Sequence, residues 1–221
     1  MKKWHYQEMS FRDWMRDNIE ELRAFFMGKR LEVQQLITVL RELNLTFDIM
    51  KQFSMYETEF VLGGEECQMI IQFRLVSYYG DWPEASKIVI RSITCRVTDY
   101  IEPDGSRQKE RELMRWDHRE MDFRTWIARN IENLREELVG KRMAASELDF
   151  YMIGMNIGGG LSIQLQRHMD AFSFGMMDDL VSVRFRIVEY YESMPASSML
   201  EISSVVGKRT RYMVRAEDFA E

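Results

Sequence analysis

Trp116-x3-Glu120-Met121-x-Phe123-Arg124-x-Trp126-x3-Asn130-Ile131-Glu132-x-Leu134-Arg135 restates, 112 residues later, Trp4-x3-Glu8-Met9-x-Phe11-Arg12-x-Trp14-x3-Asn18-Ile19-Glu20-x-Leu22-Arg23. The register holds without a gap to the end of the chain and yields 30 identities in 109 aligned pairs. Phe73-Arg74-Leu75-Val76-Ser77-Tyr78-Tyr79-x3-Pro83 falls on Phe185-Arg186-Ile187-Val188-Glu189-Tyr190-Tyr191-x3-Pro195. Self-similarity at a fixed period settles architecture before any local propensity does. It implies a tandem duplication: one unit over 1–100, a polar linker over 101–115 carrying Pro103 and Gly105, and a second unit over 116–221.

Within each copy the first segment is helical. Phe11, Trp14, Met15, Ile19, Leu22 and Phe26 fall on one stripe at 3.6 spacing, as do Phe123, Trp126, Ile127, Ile131, Leu134 and Leu138. Ser10 and Asp122 stand as N-caps, Met9 and Met121 as staples onto Trp14 and Trp126, and Gly28 and Gly140 as left-handed C-terminal residues. A second helix is expected over 31–43 and again over 143–155, closed by Asn44 and Asn156. The copy is weaker, with Gly154 inside it.

The period then changes to two. Phe60 and Leu62, then Met69, Ile71, Phe73 and Leu75, alternate with more polar neighbours. Leu161, Ile163 and Leu165, then Phe172 and Phe174, then Val181 through Ile187, do the same in the second copy. Final strands are expected near 87–99 and 198–211. The fold class is therefore α+β: an α-α-β-β-β-β unit, helices on an antiparallel meander, occurring twice and arranged as an intrachain pseudo-dimer. The layout is similar to helix-on-meander folds of the cystatin or hotdog kind, a likeness that implies no function.

The net charge of −6 argues against nucleic acid as a partner, because phosphate recognition needs a basic face. No apolar run reaches the length of a membrane span, and Met1-Lys2-Lys3 is followed by polar residues where a signal peptide is apolar. A cytoplasmic protein that does not engage the membrane is expected, and two cysteines agree with that compartment. On the hairpin read from sequence, Cys67 faces residue 99 or so, too far from Cys95 for a disulfide.

Catalytic signatures are sparse. His5, His118 and His168 align with Asp117, Tyr6 and Tyr56, so no histidine position recurs, and no metal-ligand spacing appears. Gly158-Gly159-Gly160 lacks the lysine and following helix of a phosphate loop. Gly28-Lys29-Arg30 and Gly140-Lys141-Arg142 read first as helix-dipole complements and second as an anion site. Glu65-Glu66 and Asp178-Asp179, with Met176 and Met177, read as solvated turns.

The polar residues that recur are Arg12/Arg124, Asn18/Asn130, Glu20/Glu132, Arg23/Arg135, Arg74/Arg186 and Tyr78/Tyr190. Arg74 and Arg186 lie mid-strand, read as sharing a face with Val76/Val188 and Tyr78/Tyr190. Arg and Tyr are residue types that anchor interfaces. Arg74, Arg186, Tyr78, Tyr190, Tyr79 and Tyr191 are thus the expected binding residues, with no catalytic residue, metal or cofactor. The expected function is a non-catalytic interaction protein (adaptor, inhibitor or assembly factor, in the manner of a phage or mobile-element accessory) that binds a protein partner and is open to homodimerisation. The alternative is a binder of a small anionic ligand at the pseudo-twofold interface, where Arg74 and Arg186 converge. An enzyme using an acidic residue and backbone amides is the third reading.

Overall fold

Five α-helices and eight antiparallel strands build this mixed α+β protein in a computed structural model that describes residues 1–45, 47–105, 115–176 and 178–219. Most of the linker expected over 101–115 therefore lies outside the described residues, as do Thr46 and Met177. The chain divides into two compact units: Met1–Thr98 with Arg211–Glu221, and Asp99–Thr210.

Unit 1 runs α1 (Phe11–Phe26), β1 (Arg30–Glu32), α2 (Val33–Glu42), α3 (Ile49–Gln52), β2 (Glu59–Gly63), β3 (Cys67–Ser77) and β4 (Lys87–Ile101, of which residues 87–98 belong to this unit). Ser10 caps α1, its side chain accepting from the Asp13 amide, and Gly28 follows the helix at φ +76°. The buried face of α1 carries Trp14, Met15, Ile19 and Leu22. It shares one apolar cluster with Leu36 and Leu40 of α2 and with Ile71, Phe73, Ile88 and Ile90 of β3 and β4. Alternate strand residues face the helices, and their neighbours, among them Gln72, Arg74 and Arg91, stay exposed. Met213 and Phe219, from the chain's last residues, close the same cluster.

In unit 2 elements of the same kind fall 112 residues on, as α4 (Phe123–Leu138), β5 (Arg142–Ala144), α5 (Ala145–Gly154), β6 (Ala171–Met176), β7 (Asp179–Glu189) and β8 (Met199–Met213, of which residues 199–210 belong to this unit), with a 3-10 turn at Ser162–Gln164 in the place of α3. Its cluster holds Trp126, Ile131, Leu148, Phe172, Val183, Phe185 and Ile202, and Ile101 belongs to it.

Most recurring residues have structural work. Phe11 stacks on Trp14 at 9° between ring planes and Phe123 on Trp126 at 7°. Trp4 Nε1 donates to Met9 O and Trp116 Nε1 to Met121 O. Asn44 and Asn156 take φ of 64° and 63°, and each donates its side-chain amide to the carbonyl of Trp4 or Trp116. Asn18 and Asn130, both buried, donate to Trp14 O and Trp126 O at 2.8 Å. Gly63 and Gly175 have φ of +118° and +142°, and a Cβ at either would lie within 2.7 Å of Phe11 or Phe123, so no other residue fits the turn.

Several details differ from the sequence reading. The fourth strand of each unit is not part of the meander. It is the three-residue β1 or β5, inserted between the helices and paired with β4 or β8. Residues 161–165 are not a strand: Ser162–Gln164 is a 3-10 turn. The buried Asp149 carboxylate holds this segment, accepting from Gly160 N at 2.9 Å and Ser162 Oγ at 3.0 Å, so the apolar alternation comes from a turn that points Ile163 outward. Gly154 ends α5 instead of interrupting it. Cys67 pairs with Val97, two residues nearer than expected, which makes Cys95 its diagonal neighbour. Their sulfurs are 3.0 Å apart, so distance does not separate these two free, buried thiols.

Candidate functional site

Buried partners explain most recurring residues, which makes the exposed recurring arginines stand out. Arg74 on β3 and Arg30 on β1 are both exposed, and both take Val89 of β4 as register partner from opposite sides. The same frame recurs in unit 2, where Arg186 on β7 and Arg142 on β5 flank residue 201 of β8. The arginines are the same in both units, but the residue between them is not. It is Val89 in one and Glu201 in the other.

Glu201 decides the local electrostatics of unit 2. One carboxylate oxygen, Oε2, accepts from Arg142 Nε at 2.9 Å and Arg186 Nη2 at 3.0 Å. The hydrogen bonds from Arg186 and then Arg142 hold the Glu201 carboxyl below its usual range. Both arginine side chains stay mostly exposed, so this cluster adds little to stability. In unit 1 the corresponding carboxylate is missing. Among the described residues neither the Arg30 nor the Arg74 guanidinium has a hydrogen-bond or ion-pair partner. Lys87 stands two residues before Val89 on β4, opposite Glu32 of β1. Arg30, Leu31, Glu32, Gln35 and Lys87 line a shallow cavity of about 200 Å³.

The tyrosines sit differently from their sequence reading. Register steps from Leu75↔Ile88 to Ser77↔Lys87, leaving Val76 as the extra residue of a bulge. A bulge reverses the alternation beyond it, so Tyr78 does not continue the Arg74 face. Its ring packs 5.9 Å from Phe53, at the rim of the core. Val188 makes the same bulge in unit 2, and Tyr190 packs against that unit's core. Tyr79 and Tyr191 are exposed, and their amides donate to Oγ of the buried Ser86 and Ser198 at 3.0 Å. Tyr191 also donates its hydroxyl to Glu189, which raises its pKa.

Around Tyr79 the surface is aromatic. Trp82 is 68 % exposed and Tyr56 84 %, with Tyr78 and Met55 beside them in sequence and also exposed. The Phe53–Tyr78 ring contact and the Phe73 amide bond to Thr58 O bring the 54–57 turn alongside this loop. In unit 2, Val188, Tyr191, Met194 and Ile163 are among the exposed large side chains.

Other candidates have local roles. Gly158 lies under Phe174, where a Cβ would come within 2.8 Å of the ring. Lys29 places its ammonium 3.7 Å from the centre of the Phe25 ring. All three histidines are exposed. Among the described residues no cluster of three or more His, Cys, Asp or Glu is placed to hold a metal ion, and no helix is long and apolar enough to cross a membrane.

Sequence reasoning singles out Arg74 and Arg186 as binding residues and reads Arg30 and Arg142 as helix-end complements or, second, an anion site, but does not join the two pairs through residues 89 and 201. Val89 and Glu201 differ where their spatial neighbours recur, a signal visible only once strand adjacency is known. No known protein family matches the chain, no characterised protein matches it in sequence, and no solved structure matches it.

Proposed function

We propose that the chain is a non-catalytic interaction protein of the cytoplasm, an adaptor, inhibitor or assembly factor that binds another protein. In this reading the recurrence at 112 residues is a duplication folded as an intrachain pseudo-dimer, with a binding surface that differs between its copies. The observation that carries the proposal is the set of exposed large side chains on two neighbouring loops of unit 1, Tyr78, Tyr79 and Trp82 after β3 and Met55 and Tyr56 before β2. Large amphipathic rings left in water are what hot spots of protein interfaces are made of, and patches of this kind mark binding sites on soluble chains. Arg74, four residues before Tyr78, is exposed on β3.

Native mass spectrometry of the protein purified gently from its own source tests the proposal. A discrete protein partner should accompany the wild-type chain and be lost from a Tyr79→Ser, Trp82→Ser variant whose melting curve is unchanged. A retained mass of a few hundred daltons without a protein partner, or a partner indifferent to the two substitutions, overturns it.

A further inference from the structure

Unit 2 contains a worked example of what its arginine pair binds. Arg142 and Arg186 stand on the two strands either side of β8 and reach inward to a single carboxylate oxygen. Strands lie about 4.8 Å apart, so arginines on either side of a central strand are spaced for one anion above it. Arg30 and Arg74 occupy this spacing in unit 1, with the same central register partner. What differs is the central residue, Val89 where unit 2 has Glu201. Val89 offers a half-buried apolar floor, and Lys87 adds a third positive charge nearby.

We propose that Arg30 and Arg74, across Val89, form a receptor for one carboxylate of an acidic segment of a partner protein, in the pose Glu201 takes between Arg142 and Arg186. Two guanidiniums held over an apolar floor with no ion-pair partner among the described residues match an approaching Glu or Asp side chain, and Arg suits the planar geometry of a carboxylate; Glu32, on the same face of β1 as Arg30, stands opposite Lys87. Carboxylate is the chemistry chosen because the corresponding residues of this chain already bind one. A partner protein is the source chosen because the exposed rings of Tyr79 and Trp82 follow on the loop after β3 and supply apolar area that a free anion would not use. That choice of source rests on the protein-binding reading, whereas the receptor rests on the register alone. A single exposed carboxylate contact is weak, so the receptor's contribution is orientation and selectivity for acidic sequences.

The test uses the full chain and a tetraglutamate peptide, followed by NMR of the arginine Nε–Hε signals. The peptide should shift the Arg30 and Arg74 signals saturably, and the tetraglutamine peptide should not. Acetate and inorganic phosphate should bind at least about tenfold more weakly at matched ionic strength. Val89→Glu places a carboxylate where Glu201 has one, so it should shift both signals in advance and weaken peptide binding at least about tenfold. Glu201→Val should open a second site, with peptide-dependent shifts of Arg142 and Arg186. Should Val89→Glu misfold, Arg30→Gln with Arg74→Gln supplies the same loss, read as peptide affinity by calorimetry because both arginine signals are then gone. Equal binding of the glutamine peptide, equal or tighter binding of phosphate, or undiminished binding by the blocked variants overturns the proposal. A co-purifying partner that ignores these substitutions would sink the receptor and spare the protein-binding reading. Peptide binding without any such partner would do the opposite.

Discussion

Gly207 lies so close to Ile127 that a Cβ on it would stand 2.4 Å from Ile127 Cγ2 and 3.1 Å from Ile101 Cβ. The corresponding position of unit 1 is Cys95, fully buried, and the residue corresponding to Ile127 is Met15. A flexible unbranched side chain leaves room for a thiol where a β-branched one requires none. Gly207→Ala should therefore destabilise the protein by about 1–3 kcal/mol through overpacking. Adding Ile127→Ala should recover part of that loss, and denaturant midpoints of the two single variants and the double variant measure the coupling. Strict additivity would mean that the close approach is relieved elsewhere.

Cys95 carries a consequence for pH. Its hydrogen bond with Cys67, then burial, raise its thiol pKa above the ordinary value of 9.0, and Arg12 opposes the shift only weakly. Below that ordinary value both folded and unfolded chains keep the proton, and the contribution of the neutral thiol is fully present. Above it the unfolded chain releases the proton while the folded chain holds it, so stability falls as pH rises, by at most about 1.4 kcal/mol per pH unit. Under reducing conditions the urea midpoint should drop more steeply for wild type than for Cys95→Val above about pH 9. Parallel curves would assign the loss to other groups.

Arg23 and Arg135 recur for a structural reason. Arg23 Nη1 donates to Ile93 O at 2.7 Å, and Arg135 Nε donates to Val205 O at 2.9 Å. Each helix arginine thereby ties its helix to the long strand just past the bulged residues Arg91 or Ser203. Replacing either by Ala should cost about 1.5–3 kcal/mol, the range for a hydrogen bond to a charged donor. Arg74→Ala, whose guanidinium has no such partner among the described residues, should cost under about 0.5 kcal/mol. Thermal melts of the three variants make the comparison.

Unit 1 depends on the far end of the chain. Met213 and Phe219 are 2 % and 8 % exposed within its core, and Ala216 N donates to Glu20 Oε1 at 3.3 Å. Met213→Ala should cost about 2–5 kcal/mol, the range for truncating a buried side chain. Removal of residues 211–221 should open unit 1 to protease before unit 2. Simultaneous cleavage of both units, or none, would contradict the assignment of this segment to unit 1.

Helices, caps and the long strands were legible because their patterns extend over enough residues for a period to be read. The Trp14 stripe and the alternation from Met69 to Phe73 are examples. A three-residue strand such as Arg30–Glu32 has no period, and its basic residues looked like a helix-end complement. The bulges at Val76 and Val188 leave no mark in composition either, so plain alternation puts Tyr78 and Tyr190 on the arginine face, whereas Tyr78 sits part-exposed against Phe53 at the rim of the core and Tyr190 packs on the core of unit 2. Arg74 and Arg186 were legible as recurring and mid-strand. Their relation to Arg30 and Arg142 was not, because it runs through a strand more than ten residues away and through one position, 89 or 201, that does not recur.

The place of residues 211–219 also sets an order of events on the ribosome. Domains synthesised first usually fold first. Here the amino-terminal half emerges lacking Met213 and Phe219, so its core stays open while the following hundred residues are made. Unit 2, by contrast, holds only residues already synthesised by the time Thr210 appears. The cluster of unit 1 is therefore completed only once residues 213 and 219 have been made, and a chain stopped before them would leave part of that cluster uncovered.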